Sequence, residues 1–260
     1  MAISKTTLAA RRRLKPGVLV GLPWRTTCVL LAAALGLALA ADVRVAEAFH
    51  GWDPPGEVGN LLQVAEVFGN GFGVMLIVGV IAVMDPSNRY RSGRILTCGL
   101  GAGVMADVVK LLVARSRPRS IDFAAAPDLG LNDTFLGLMP MLSHDSNIQS
   151  FPSAHTASAF GLATALVLLY PHARGLFVAL AVAVGMQRVF VGAHFPSDTV
   201  IGAVVGVLSA RHCLGATRLG RFFGWAERKY LRFYGIDPAE RADALAEPPE
   251  ATEPARRCAA

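Results

Sequence analysis

Six apolar stretches, each about the length that crosses a bilayer as a helix, follow one another along this chain. They run roughly 24–41, 67–84, 93–114, 153–170, 175–193 and 198–214. A helix rising about 1.5 Å per residue needs about 20 apolar residues to cross about 30 Å of hydrocarbon. One short stretch would equally suit a buried helix of a soluble protein, but six in series do not. Gly and Ala recur within them, which suits close helix packing in lipid. Only 17% of the 260 residues are charged, against about 25% in soluble domains, so a soluble chain is not expected and a largely disordered one is excluded. The expected fold class is all-α: a polytopic membrane protein, a six-transmembrane-helix bundle with an extracytoplasmic loop between the third and fourth helices.

The chain divides into a basic segment 1–23, a membrane domain 24–214 and a tail 215–260. Lys5, Arg11, Arg12, Arg13 and Lys15 precede the first span. Arg89, Arg91 and Arg94 lie between the second and third, and Arg174 between the fourth and fifth. The tail is basic from Arg211 onward. The first loop, 42–66, has only Arg44 against Asp42, Glu47, Asp53, Glu57 and Glu66. Basic residues accumulate on the cytoplasmic side. Both termini are therefore expected to be cytoplasmic, with the 115–152 loop and the 194–197 turn outside, in a bacterial plasma membrane. An alternative reads the basic start, the first apolar run and Ala38-Leu39-Ala40 as a cleaved signal peptide. It leaves the later topology unchanged. Residues 218–234 mix aromatic and basic groups and suit a helix on an anionic membrane surface, or an ordinary surface helix. Residues 236–260 are rich in Pro, Ala and Glu and are expected to be mobile. Cys28, Cys98, Cys213 and Cys258 show no paired spacing, so neither a disulfide framework nor a zinc site is indicated.

Ionisable groups at membrane depth are costly and usually functional, and here they are few. Lys110 and Arg117 lie two helical turns apart, so both cations can share a face. Pro118 disfavours helix at Arg117 and lets that side chain turn inward. Such a pair suits an anion with several oxygens, or two interfacial anchors. Phe151-Pro152-Ser153-Ala154-His155 has the signature of a helix start, whose free N–H groups bind anions. His155 would stand beside that anion, able to give or take a proton. Arg188 is a further cation, and His194 followed by Asp198 suggests a carboxylate holding one ring nitrogen while the other stays nucleophilic. A metal at that pair is disfavoured by the three cations nearby. In the six-span arrangement all three groups fall on one side.

Together these residues resemble, in order and spacing, the three motifs of the type 2 phosphatidic acid phosphatase superfamily, K-x6-R-P, P-S-G-H and S-R-x5-H-x3-D. That superfamily also includes acid phosphatases and vanadium haloperoxidases. The matching residues are Lys110, Arg117 and Pro118; Pro152, Ser153 and His155; and Arg188, His194 and Asp198. The resemblance covers about residues 60–214 and implies the membrane-bound lipid phosphatase branch. It implies that His194 attacks phosphorus to give a phosphohistidine, that Asp198 orients it, and that His155 protonates the leaving oxygen and then activates water. Lys110, Arg117, Arg188, Ser153 and the backbone around Ala154 would hold the phosphoryl oxygens. No metal and no cofactor is implied, and no nucleic acid partner; the substrate would be a lipid phosphate or diphosphate.

Two positions depart from the motifs. Ala154 replaces a glycine, which is tolerable only if residue 154 is helical. Gln187 replaces a serine and can still hydrogen-bond an oxyanion. Asp107, one turn before Lys110, is a candidate to pair with it or to serve elsewhere in the bundle. His144 and Asp145 lie on the outer loop, and the apolar run 135–142 suits either a bilayer contact or a packed lid. Competing readings are a vanadate-dependent haloperoxidase, a transporter or channel, and an inactive family member.

Overall fold

The structure is a computed structural model that describes residues 24–52, 54–138 and 145–237. The basic segment 1–23, His144 and the end of the tail from 238 lie outside the described residues. Among the described residues there are eight α-helices: α1 (Trp24–Ala48), α2 (Gly56–Val67), α3 (Gly71–Met84), α4 (Ser92–Lys110), α5 (Ala154–Leu169), α6 (Arg174–Phe190), α7 (Pro196–Leu214) and α8 (Arg218–Phe233). The one sheet among the described residues pairs β1 (Val113–Arg115) antiparallel with β2 (Phe135–Leu138).

Among the described residues, three helices are long and apolar enough to cross a membrane: Arg25–Ala48, Arg89–Lys110 and Pro171–Phe190. Two bent pairs qualify jointly, α2 with α3 at 71° and α7 with α8 at 52°, giving up to five spans. The chain is thus an all-α, multi-spanning membrane protein. The remaining apolar helix, α5, has 16 residues, 11 of them buried. It packs against α4, α6 and α7, so its backbone is sheathed by protein rather than lipid.

Several sequence signals fix where helices start. Asn70 accepts from the Phe72 N–H at 2.9 Å and opens α3. Ser153 caps α5 through the Thr156 N–H, and Ala154 is its first helical residue, as an alanine there requires. Pro196 occupies the first turn of α7, where Asp198 accepts from the Phe195 N–H at 2.9 Å. Small residues then let α4, α5 and α7 approach closely. A Cβ at Gly161 would come 2.2 Å from the Cys98 carbonyl oxygen, and one at Gly206 would come 2.4 Å from that of Ala157. Val74, Cys98, Leu162, Leu166 and Val184 fill the centre of the bundle.

Two local expectations change. The segment 42–66 is not simply a loop: α1 continues to Ala48, and α2 occupies Gly56–Val67. The third stretch is helical only to Lys110, after which the chain turns into β1. Lys110 and Arg117 therefore do not share a helix face. Arg117 is extended (φ −83°, ψ 142°), as Pro118 demands. The apolar segment after 134 begins as β2, whose Leu136 and Leu138 are exposed; residues 139–142 lie outside the described set.

At one end of the bundle, Asp85 closes α3 and accepts hydrogen bonds from Asn88 and the Tyr170 hydroxyl, at 2.8 and 2.9 Å. Arg94 binds Glu227 of α8 with both Nε and Nη2 at 2.8 Å. The opposite end carries the residues that follow.

Candidate active site

The end of α4, the start of α5 and the α6–α7 turn meet at this second end. Arg188, His194, Lys110 and Arg117 all lie close enough to act electrostatically on the His155 ring. Five of the residues singled out in the sequence are thus brought together. Gly192, at φ 64°, reverses the chain between Arg188 and His194. The Ala193 and His194 N–H groups then both donate to the Arg188 carbonyl at 3.1 Å.

His194 is buried. Its Nδ1 lies 2.6 Å from the Ser150 carbonyl oxygen, so Nδ1 carries the proton and Nε2 keeps its lone pair. The carboxylate expected to hold this nitrogen does not bond it directly, since Asp198 Oδ2 is 3.8 Å away, beyond hydrogen-bond range. Ser150 links the two, its hydroxyl donating to Asp198 Oδ2 at 2.6 Å. Burial pushes the His194 imidazole below its ordinary 6.5, while Asp198 pulls the other way.

Behind Asp198 stands Arg115, which is not one of the residues that define the three motifs. Arg115 is fully buried. Its Nη1 donates to Asp198 Oδ1 and to the Ser197 hydroxyl (2.8 Å), its Nε to Thr134 Oγ1 (3.1 Å), and its Nη2 to Asp42 Oδ2 (2.7 Å). The guanidinium lies between the rings of Phe135 and Phe195, 4.5 and 4.1 Å from their centroids. The β1–β2 register slips between Ala114 and Arg115, and such an irregularity re-aims a side chain. Asp42 comes from α1 and also accepts from the Ser197 N–H at 2.9 Å. Two carboxylates thus share one guanidinium. Asp198 accepts from Arg115, the Ser150 hydroxyl and the Phe195 N–H, so both of its oxygens are engaged by donors. No group of three or more metal-ligating side chains occurs among the described residues.

The cationic side is more open. Lys110 donates to Asp107 at 3.0 Å, and Asp107 is largely exposed. Arg117 binds the Ser146 carbonyl through Nε at 2.8 Å. Arg188 donates through Nη1 to Glu66 Oε1 at 2.7 Å, whereas its Nε is shielded from solvent with no partner among the described residues. Gln187 donates to Glu66 Oε2 at 2.9 Å. Arg119, exposed, repels both Arg117 and Arg188 and so adds a fourth cation to the rim. Ser153 turns away: its hydroxyl accepts from Thr156, and its N–H donates to the Asp198 carbonyl at 3.1 Å. The N–H groups of Ala154 and His155, at the start of α5, have no acceptor among the described residues. Asp145 caps the 146–148 turn through the Asn147 N–H.

Glu66 and Asp42 were legible in the sequence only as acids of the first loop. A carboxylate bordering an apolar run is the one local signal either offers. Arg115 sits inside the first motif, and its burial shows only in three dimensions.

Residues 93–219 match the PAP2 superfamily. Over 136 residues the chain is 33% identical to a lipid A 1-phosphatase of Rhizobium johnstonii, covering 50% of this chain and 52% of that protein. It is 30% identical over 109 residues to the bacitracin transport permease protein BcrC of Bacillus licheniformis, 42% of this chain and 49% of that one. It is 33% identical over 142 residues to a decaprenylphosphoryl-5-phosphoribose phosphatase of Mycobacterium tuberculosis, 52% and 66%. The chain spans about half the length of the first two relatives. The matched segment begins just inside α4 and ends in α8, enclosing all three motifs, so the chain belongs to the PAP2 superfamily, beside relatives named as lipid phosphatases.

Proposed function

We propose that this protein is a metal-independent phosphatase that removes a terminal phosphate from a membrane lipid through a phosphohistidine. The observation that carries this reading is the pairing of a buried imidazole, locked as the Nδ1–H tautomer, with three cations and a second imidazole at one end of a membrane bundle. His194 Nε2 attacks phosphorus as the bond to the lipid oxygen breaks. His155 gives that oxygen its proton, then takes one from the water that hydrolyses the phosphorus–nitrogen bond. Lys110, Arg117, Arg188 and the N–H groups at the start of α5 hold the equatorial oxygens, where phosphoryl transfer needs stabilisation. The positive charge that develops on the His194 ring meets the Asp198 carboxylate 3.8 Å from Nδ1, which Arg115 and Ser150 hold in place.

The site would face the extracytoplasmic side of a six-span bundle made by α1, α3, α4, α5, α6 and α7, with both termini cytoplasmic. α2 would lie at the outer end, and α8 would rest on the cytoplasmic leaflet with Phe222, Trp225 and Phe233 toward lipid. The alternating helix directions and the basic residues of the other end support this. The substrate would be an outer-leaflet amphiphile, as the names of the lipid A and decaprenylphosphoryl relatives suggest.

The test is phosphate release by detergent-purified protein from a panel of lipid phosphates, with chelator present. His194→Ala should lose at least about a thousandfold and form no acid-labile phosphoenzyme. His155→Ala should lose about a hundred- to ten-thousandfold and accumulate that adduct when the leaving group needs no proton. Turnover surviving in both variants rejects the reading. Halide oxidation after vanadate loading, in place of turnover, would favour a haloperoxidase.

A further inference from the structure

Glu66 stands among the cations that would bind phosphate, and it is held there from two sides. Oε1 accepts from Arg188 Nη1 at 2.7 Å and lies 3.5 Å from His155 Nε2; Oε2 accepts from Gln187 Nε2 at 2.9 Å. Gln187 occupies the place of the motif's serine, and its longer side chain is what reaches this carboxylate. Gln187 itself is buried. The backbone just after Glu66 is equally fixed: a Cβ at Gly69 would come 2.5 Å from the His155 carbonyl oxygen and 2.7 Å from Val184 Cγ1. The carboxylate is therefore a built part of the site.

Its location has a chemical consequence that rests on the phosphatase reading above. In an in-line displacement the entering and leaving groups lie on opposite sides of phosphorus. His194 enters from the buried side, so the leaving oxygen departs past His155, and hence past Glu66. We propose that Glu66 is a specificity-determining residue that selects lipid phosphomonoesters over diphosphates. A monoester leaves as a neutral hydroxyl, whose O–H, and any neighbouring hydroxyl or ammonium of the headgroup, can donate to the carboxylate. A diphosphate leaves as a phosphate monoester, and puts a second anionic group beside a fixed negative charge. Glu66 also takes a hydrogen bond from Nη1 of Arg188, so part of that guanidinium is turned to the carboxylate and away from a second phosphoryl group. Repulsion between unit charges about 5 Å apart at a protein rim corresponds to about a ten- to hundredfold loss.

The experiment compares full-length wild type, Glu66→Gln, Glu66→Asp and Gln187→Ser on a monophosphate and a diphosphate that share one lipid tail. Thermal-shift titrations with inorganic phosphate and pyrophosphate are run alongside. Wild type should prefer the monophosphate. Glu66→Gln should raise the diphosphate-to-monophosphate ratio of kcat/KM by about ten- to hundredfold and tighten pyrophosphate binding more than phosphate binding. Glu66→Asp should restore the wild-type ratio, and Gln187→Ser should move it part of the way. An unchanged ratio, an equal gain on both substrates, or a wild-type preference for diphosphate overturns the proposal. So does a ratio that falls in Arg119→Ala but ignores Glu66, since the exposed Arg119 is the cation a second phosphoryl group could otherwise reach. If wild type hydrolyses neither lipid, the phosphatase reading has failed, and the two inorganic anions alone decide the role of Glu66.

Discussion

Removing Arg115 would leave Asp42 and Asp198 facing each other in a dry interior with no cation between them. Breaking such a buried pair costs about 3–5 kcal/mol, and Arg115→Gln should lower stability by about that amount, read from thermal unfolding in detergent. Arg115→Lys should recover little, because an ammonium cannot fork between two carboxylates while lying flat between Phe135 and Phe195. A wild-type midpoint in Arg115→Gln would show that the network is dispensable. His194 supplies a second expectation at this scale. Its imidazole is pushed below 6.5 mainly by burial, and a base with a lowered pKa stays unprotonated to lower pH. The acid limb of kcat/KM should therefore fall below pH 6.5, with activity lost only as pH drops through that lowered value; a limb above 6.5 contradicts it. What the sequence disclosed of these residues follows from range. His155, Arg188 and His194 stand in short motifs whose spacing survives in the fold. Arg115 reaches Asp42 across 73 positions and Arg188 reaches Glu66 across 122, and no local pattern records such partners. The missing Asp198–His194 hydrogen bond belongs here too: the i,i+4 spacing allowed it, but the Ser150 carbonyl lies nearer.

Among the helices, glycine has two distinct uses that substitution can separate. At Gly206 an added methyl meets the Ala157 carbonyl and the Gly161 nitrogen, at 2.4 and 3.0 Å. Gly206→Ala should therefore force α5 and α7 apart and cost about 1–3 kcal/mol. Gly79, with nothing within 4 Å of its would-be Cβ, should tolerate alanine and gain up to about 1 kcal/mol. Equal midpoints for the two variants would contradict close packing as the reason for the α5–α7 glycines. The apolar runs gave away the long helices because their length alone is informative. α2 is hard to read because its 12 residues, preceded by Pro54-Pro55 and followed by Gly69-Asn70, resemble a loop. The end of α4 was misread because apolar residues continue through Leu111–Ala114 into β1, so hydropathy does not mark where the helix stops.

Across the whole molecule, the orientation proposed for the bundle can be checked directly. In a cysteine-free background, Asp128→Cys should react with an impermeant maleimide added to intact cells, and His172→Cys only after permeabilisation. The reverse pattern would invert the bundle and put the candidate site in the cytoplasm. The link from α1 to the site has a further bearing on how far this protein can be reduced. The segment matching the superfamily begins at residue 93, yet one of the two acids gripping Arg115 is Asp42, and the carboxylate bordering His155 is Glu66. A fragment trimmed to the matching core would keep the motifs and lose the counterweights that hold them in register. Any attempt to miniaturise this protein, or to graft its motifs onto another scaffold, has to carry α1 through α7 as one indivisible piece.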